Sequence, residues 1–304
     1  MPELPEVEAA RRGIAAQLVG RPITGVDLRL PKLVIATDGL SIDAVRGRAI
    51  EDVRRHGKYL TLTFGDVAGV VHLKLSGQLV GRGEAIGGFA AGHPVPAYDA
   101  TLPHKSTHLI LDFDGASLFL TDIRHFARVY LMPTDDLPSY FDKVGLGPDA
   151  IAADFTRDAF GKRLQRRTLA RLKPLLLDQS FVAGLGNIYV DEALHRAGLH
   201  PERLASSLSD DEIDRLYQAI VETLAIAVPI GGASILNGKA STAHGAFPFV
   251  HGRRGEPCLS CGQEIVKTRV NNRGTYLCPN CQLHRICGES ALDDNSVSAQ
   301  SGGN

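Results

Sequence analysis

The sequence predicts an α+β chain in three parts: a β-rich domain over residues 1–135, a helical domain over 149–230 and a cysteine-bearing hairpin over 247–287, followed by a disordered tail at 288–304. Apolar and polar residues alternate at the period of a strand in the first part, and from about Asp149 the period becomes that of a helix. All five cysteines lie between Cys258 and Cys287, as in a local metal site rather than a disulfide framework. At 304 residues the chain can hold two or three domains, and a hydrophobic content of 44% is ordinary for a globular protein. There is no run of roughly eighteen apolar residues and no basic-plus-apolar leader, so no membrane span or secretory signal is expected and cytoplasmic residence is the default.

Taken in order, Leu4, Val7, Ile14 and Leu18 fall near one face of a helix that Gly20 can stop. Leu60, Leu62 and Phe64 then alternate with Thr61 and Thr63, and Val71, Leu73 and Leu75 alternate with His72 and Lys74. Leu109, Leu111 and Phe113 lead through Asp114-Gly115, a hairpin turn signal, to Leu118 and Leu120. The glycine- and proline-rich Gly81–Pro96 stretch has no period and reads as a long mobile loop. In the helical part, Ser209 and Glu212 make a capping box ahead of Ile213, Leu216, Ile220 and Leu224, whose spacing marks one buried face. Residues 231–252 suit a connection with a flexible loop, and the tail has too few large apolar residues to order itself. No internal repeat is evident.

A net charge of −1 argues against a strongly basic nucleic-acid coat protein, but the distribution is uneven. Lys162, Arg163, Arg166, Arg167, Arg171 and Lys173 run without an acid among them, which alone is the mark of a solvated helix face. Between Val250 and Cys287, Arg253, Arg254, Lys267, Arg269, Arg273 and Arg285 outnumber Glu256 and Glu264, a surplus that suits phosphate contact.

The pairs Cys258-x2-Cys261 and Cys278-x2-Cys281, sixteen residues apart, have the spacing of a four-thiolate tetrahedral Zn2+ site. A redox pair is the alternative. The short hairpin between the pairs is too small to bury a core, so one structural metal would hold it, with Cys287 and His284 left outside the ligand set. Lys173 to Gln179 and Val182 to Tyr189 read as helix, glycine turn, helix. Gly184 and Gly186 allow a close turn, Asn187 could cap the second helix and Gly198 could end it. Amides at such a helix start can hold a phosphate, though by physics alone the turn equally serves to pack two helices.

Freed of Met1, Pro2 would be a secondary amine titrating near ~8, nucleophilic and able to form a cationic Schiff base. Glu3, Glu6 and Glu8 follow, and Glu3 is near enough to move protons during attack. The competing reading makes Pro5 a helix-start residue and the glutamates partners of the helix dipole.

The string Met1-Pro2-Glu3-Leu4-Pro5-Glu6-Val7-Glu8, with Arg11-Arg12-Gly13-Ile14, resembles the N-terminus of the formamidopyrimidine-DNA glycosylases. Gly184-Leu185-Gly186-Asn187-Ile188-Tyr189 is similar to that family's helix-two-turns-helix signature, and Asn271-Asn272-Arg273-Gly274-Thr275-Tyr276 to its zinc hairpin tip. The resemblance implies a β-sandwich-like N-terminal domain, a helix-two-turns-helix domain and a C-terminal zinc hairpin, with damaged double-stranded DNA in the cleft and a monomeric enzyme. It implies that Pro2 is the nucleophile, that Glu3 handles protons, that Lys58 assists near the lesion and that Arg273 supports the second elimination. Asn187 and Lys173 would grip phosphate. Arg124 and Phe126, within Thr121-Asp122-Ile123-Arg124-His125-Phe126, and Leu75 would fill the space left by an everted base.

The sequence departs from the family pattern at Leu75, usually methionine, at Ser106, commonly a DNA-contacting histidine, and at Ala127, usually glycine. The implied activity is excision of oxidised or ring-opened purines, followed by β- and δ-elimination. The related endonuclease VIII type, which prefers oxidised pyrimidines, usually has glycine where Leu4 stands. A non-catalytic DNA-binding relative would be expected to lose Pro2, Glu3 or Lys58, and all three are present.

Overall fold

The computed structural model describes residues 1–37, 39–233, 235–236, 239–240 and 247–284. Arg285, Cys287, the tail at 288–304 and most of the loop expected between the helical domain and the hairpin lie outside the described residues.

Helix α1 (Leu4–Gln17) starts at Glu3, whose side chain and that of Glu6 form a reciprocal capping box. Pro5 sits in the first turn, where its missing N–H removes no helical bond. Val7, Ala10, Ile14 and the following Leu18 are buried in the core of the β-rich domain, whereas Leu4 is buried in the core of the helical domain. A single helical turn therefore pins the N-terminal peptide between two cores.

The strands are β1 (Ile23–Leu28), β2 (Val34–Ala36), β3 (Asp52–His56), β4 (Tyr59–Phe64), β5 (Val67–His72), β6 (Gly77–Arg82), β7 (Phe89–Gly92), β8 (Thr107–Phe113), β9 (Ala116–Asp122) and β10 (Arg128–Pro133). They form two five-stranded sheets, ordered β1-β8-β9-β6-β7 and β2-β10-β5-β4-β3, antiparallel except where β2 meets β10. Alternate residues of both, among them Leu62, Val71, Leu79, Leu111, Leu118 and Leu131, meet in one apolar core. The architecture is a β-sandwich.

Two expectations are corrected. The strand expected to run through Leu75 stops at His72, and Leu73–Ser76 is a tight turn closed by the Gly77 N–H on the Leu73 carbonyl at 2.9 Å. The stretch expected to be a mobile loop contains β7, paired with β6, because the Phe89 ring fills the space above Gly13 and Gly81. A four-residue strand in which all but the first residue is alanine or glycine has no alternation to announce it.

A linker helix, α2 (Leu137–Val144), ends on Gly145 in the left-handed region. Then come α3 (Arg157–Gln165), α4 (Leu172–Leu177), α5 (Asn187–Ala197) and α6 (Asp210–Ala227), packed around Phe160, Leu176, Tyr189, Leu194, Leu216, Ile220 and Leu224. The Ser209–Glu212 capping box is formed, and Gly198 ends α5 with positive φ. The two domains are joined by a buried ion cluster in which Arg55 binds both Glu8 and Asp149, and Asp149 also accepts the Gly57 N–H.

Beyond α6, β11 (Ile235–Leu236) and β12 (Lys239–Ala240) pair within the segment expected to be irregular. The C-terminal hairpin is β13 (Val266–Val270) and β14 (Arg273–Leu277), turned by Asn271 and Asn272 with positive φ.

Candidate active site

The Gly184–Gly186 turn brings the start of α5 against the start of α1. The Leu4 N–H donates to the Gly184 carbonyl at 3.1 Å, and the Ile188 N–H donates to Glu3 Oε1 at 3.2 Å. Glu3 is 1% exposed, so its carboxylate lies at the positive end of a helix with almost no water around it. Its other oxygen, Oε2, has no hydrogen-bond partner among the described residues. Gly186 is a requirement of space, since a Cβ there would lie 2.3 Å from Glu3 Cδ.

Glu6 is the second buried carboxyl. Its Oε2 accepts the Glu3 N–H at 2.8 Å, and its Oε1 accepts the Tyr189 hydroxyl at 2.6 Å and the Ala233 N–H at 3.1 Å. Burial, then the nearby Glu3, pushes its pKa up to about 7 against these donors. Glu8 is held down to about 2: burial opposes ionisation, but Arg11, Arg12 and Arg55 all bind it. Glu8 is thus an interface anchor and stands apart from the chemistry.

Lys58 occupies the turn between β3 and β4, after Gly57, whose φ of 55° favours glycine. Burial lowers its pKa, Glu3 and Glu6 oppose that shift, and Arg273 adds to it. Met1, Lys58, Leu75, Asn187 and Arg273 line one cleft of about 730 Å³, with His72, Lys74, Leu177, Gln179 and Gly186. Met1 is bonded to the Pro2 nitrogen, so its removal would open that nitrogen on to the cleft. Arg124 and Phe126 project from the β9–β10 loop, Phe126 being 47% exposed with the Arg124 guanidinium 5.6 Å from its ring centre.

Two residues are placed otherwise than expected. Lys173 is fully buried, so it does not reach a phosphate itself; its Nζ donates to Asp191 at 2.6 Å and to the Gly274 carbonyl at 3.0 Å. Asn187 does not cap α5, whose N-cap is Gly186; its Nδ2 donates to the same Gly274 carbonyl at 2.9 Å. Both side chains therefore fix the hairpin tip next to Arg273. Asp191 also takes the His251 ring at 2.8 Å and the Tyr276 N–H at 3.1 Å, while Glu192 accepts the N–H groups of Phe249, Val250 and His251.

His72, Lys74, Gln179, Tyr189 and Asp191 were not singled out from the sequence. His72 and Lys74 read there as the polar half of a strand. Burial and the neighbouring Lys74 and Lys58 bring His72 down to about 3, so it is a neutral ring at physiological pH, accepting the Lys74 N–H at 2.9 Å. Ser106 is buried, its carbonyl taking the Asp122 N–H, and Ala127 needs no glycine because its φ is not positive.

The sulfurs of Cys258, Cys261, Cys278 and Cys281 form a single cluster able to hold a metal ion. The Cys258–Cys281, Cys261–Cys278 and Cys261–Cys281 separations are 3.9, 3.4 and 3.4 Å, close to the roughly 3.8 Å that tetrahedral zinc–sulfur bonds of about 2.3 Å require. His195 Nε2 lies 3.4 Å from Cys258 Sγ, as a donor to a thiolate would. His284 lies against the His200 ring, 4.4 Å away between centres. Among the described residues no helix is long and apolar enough to cross a membrane.

Comparison with known proteins gives a consistent set of matches. Residues 1–129 match the formamidopyrimidine-DNA glycosylase N-terminal domain, 146–238 the formamidopyrimidine-DNA glycosylase H2TH domain, and 255–283 the zinc finger found in FPG and IleRS. The formamidopyrimidine-DNA glycosylase of Pelotomaculum thermopropionicum is 41% identical over 290 residues, covering 93% of this chain and 99% of that one. That of Heliobacterium modesticaldum is 42% identical over 290 residues, covering 93% and 100%. Among solved structures, Lactococcus lactis Fpg in complex with DNA containing an abasic site superposes with a TM-score of 0.80 at 35% identity, covering 93% of this chain and all of that one. A MutM protein in complex with DNA containing carbocyclic 8-oxo-G gives 0.78 at 34%.

Proposed function

This chain belongs to the formamidopyrimidine-DNA glycosylase family, and on that footing we propose that Pro2, once Met1 is removed, is the nucleophile of a reaction that Glu3 serves as proton donor and acceptor. The enzyme is a bifunctional DNA glycosylase and abasic-site lyase that removes oxidised and ring-opened purines in base-excision repair. The observation that carries the residue assignment is the N-terminal peptide itself, pinned between two cores with the buried Glu3 carboxylate on the α5 terminus and the Lys58 and Arg273 cations across the cleft.

The Pro2 nitrogen attacks the sugar C1′ and the damaged base leaves, taking a proton that Glu3 relays. The sugar ring opens to a cationic Schiff base, which acidifies the adjacent C–H and drives the β- and then the δ-elimination. Lys58 and Arg273 hold the phosphates and developing anions near the reacting sugar. Leu75, Arg124 and Phe126 enter the stack as the lesion leaves it. The metal is a single structural Zn2+ that keeps the hairpin folded, so that Lys173, Asn187 and Asp191 can present Arg273 to the cleft. Leu4, whose side chain fills the space above Gly184 in the helical core, stands where the endonuclease VIII type usually has glycine, and that difference supports the purine type.

Pro2→Gly should abolish most base release. Glu3→Gln should abolish excision while cleavage at a preformed abasic site persists. Unchanged excision by Pro2→Gly would overturn the assignment.

A further inference from the structure

The three side chains assigned to the wedge come from two turns that are remote in sequence. Leu75 lies in the Leu73–Ser76 turn, and Arg124 and Phe126 lie in the β9–β10 loop. Each turn holds a non-glycine residue in the left-handed region, Lys74 at φ 53° and His125 at φ 60°. Such a conformation persists where surrounding bonds fix it, and it clusters at sites whose shape matters.

Here one group does the fixing for both turns. Asp122, at the end of β9, is fully buried. Its Oδ1 accepts the Arg124 N–H at 3.0 Å and the Ser76 hydroxyl, and its Oδ2 accepts the Ala127 N–H at 2.7 Å. Its carbonyl accepts from the His108 ring at 2.8 Å, and the His125 ring packs edge-on against that ring with centres 4.6 Å apart. Hydrogen bonds to a buried charge are short and strong, and losing one strands the others.

We propose that Asp122, through Ser76, is the positioning residue that locks the two turns together, so that Leu75, Arg124 and Phe126 enter the duplex as one rigid wedge. This rests on the proposed function. Asp122 touches no substrate; it acts by setting where three other side chains stand. Eversion of a stacked, paired purine needs the whole wedge. An abasic site has no base to unstack and depends on it less.

The test is the ratio of two single-turnover rates on the full-length, metal-loaded enzyme: excision of 8-oxoguanine opposite cytosine, and strand cleavage at a preformed abasic site in the same sequence. Asp122→Asn keeps the shape and turns an acceptor into a donor facing N–H groups. Ser76→Ala removes only the bond between the turns and leaves the loop its own two. Asp122→Asn should lower the ratio about tenfold, the scale of one hydrogen bond to a charged group. Ser76→Ala should lower it in the same direction, and the double variant should fall by less than the product of the two. A wild-type ratio in both variants, or a proportional loss of both rates, would overturn the proposal. Failure of the wild-type enzyme to excise at all would instead overturn the function on which it rests.

Discussion

Replacing Gly186 with alanine puts a methyl group where the Glu3 carboxylate stands. The backbone there, at φ −133° and ψ −161°, suits any residue, so the obstacle is space alone. The new Cβ would lie 2.3 Å from Cδ, 2.4 Å from Oε1 and 2.6 Å from Oε2 of Glu3, where ordinary contact begins near 3.4 Å. The carboxylate must therefore retreat by about 1 Å, and the 3.2 Å bond from the Ile188 N–H is lost. A hydrogen bond to a charged group is worth roughly 1.5–3 kcal/mol, or about 10- to 150-fold. A misplacement of about 1 Å at a reacting group costs on the order of 100-fold by a separate route. Both lead to a single-turnover excision rate reduced about 100-fold, measured as 8-oxoguanine release from a duplex. Cleavage at a preformed abasic site, which needs no base protonation, should fall by less. Excision by Gly186→Ala within about twofold of wild type would refute the claim that Glu3 acts from this position.

Further outcomes follow from the same geometry. With Glu6 raised from 4.5 to about 7 in the folded state, the native protein binds more protons than the unfolded chain between those values, so stability falls as pH rises through that window. Urea unfolding from pH 4.5 to 8 should show wild type losing about 3 kcal/mol that Glu6→Gln does not lose, and parallel curves would contradict the shift. Stripping the metal with a chelator should unfold the hairpin, lower the melting temperature and release duplex DNA; anisotropy that stays at the bound value would mean that the hairpin stands without metal. Lys173→Met leaves Asp191 buried without its cation, which should cost roughly 3–5 kcal/mol in denaturant unfolding, and a loss below about 1 kcal/mol would show that His251 and Tyr276 satisfy it alone.

The sequence marked what rests on local periodicity or fixed spacing. The α1 face, the β4 alternation, the Ser209–Glu212 cap and the paired cysteines all follow from residues close in the chain. Through resemblance it also proposed Pro2, Glu3, Lys58 and Arg273 as a set, of which Lys58 and Arg273 line one cleft with Met1. It misread β7, whose pairing depends on one phenylalanine ring over two glycines, and Leu75, whose turn breaks an alternation that continues in the sequence beyond His72. Lys173 went astray because a lysine beside a basic run looks solvent-exposed, and only the approach of Asp191 and Gly274, from 18 and 101 residues away, shows that it is buried. Asp122 and Tyr189 were invisible for the same reason: a carboxylate or a hydroxyl gains its meaning from partners that the fold brings.

The central claim, that the Pro2 nitrogen is the nucleophile, is tested most directly by borohydride reduction of the enzyme on a duplex with one 8-oxoguanine opposite cytosine, followed by mass spectrometry of the N-terminal peptide. A reduced DNA adduct on Pro2, in a chain freed of Met1, is the expected result. An adduct on Lys58 or another lysine with Pro2 unmodified, or excision that proceeds while no adduct is trapped, would contradict it.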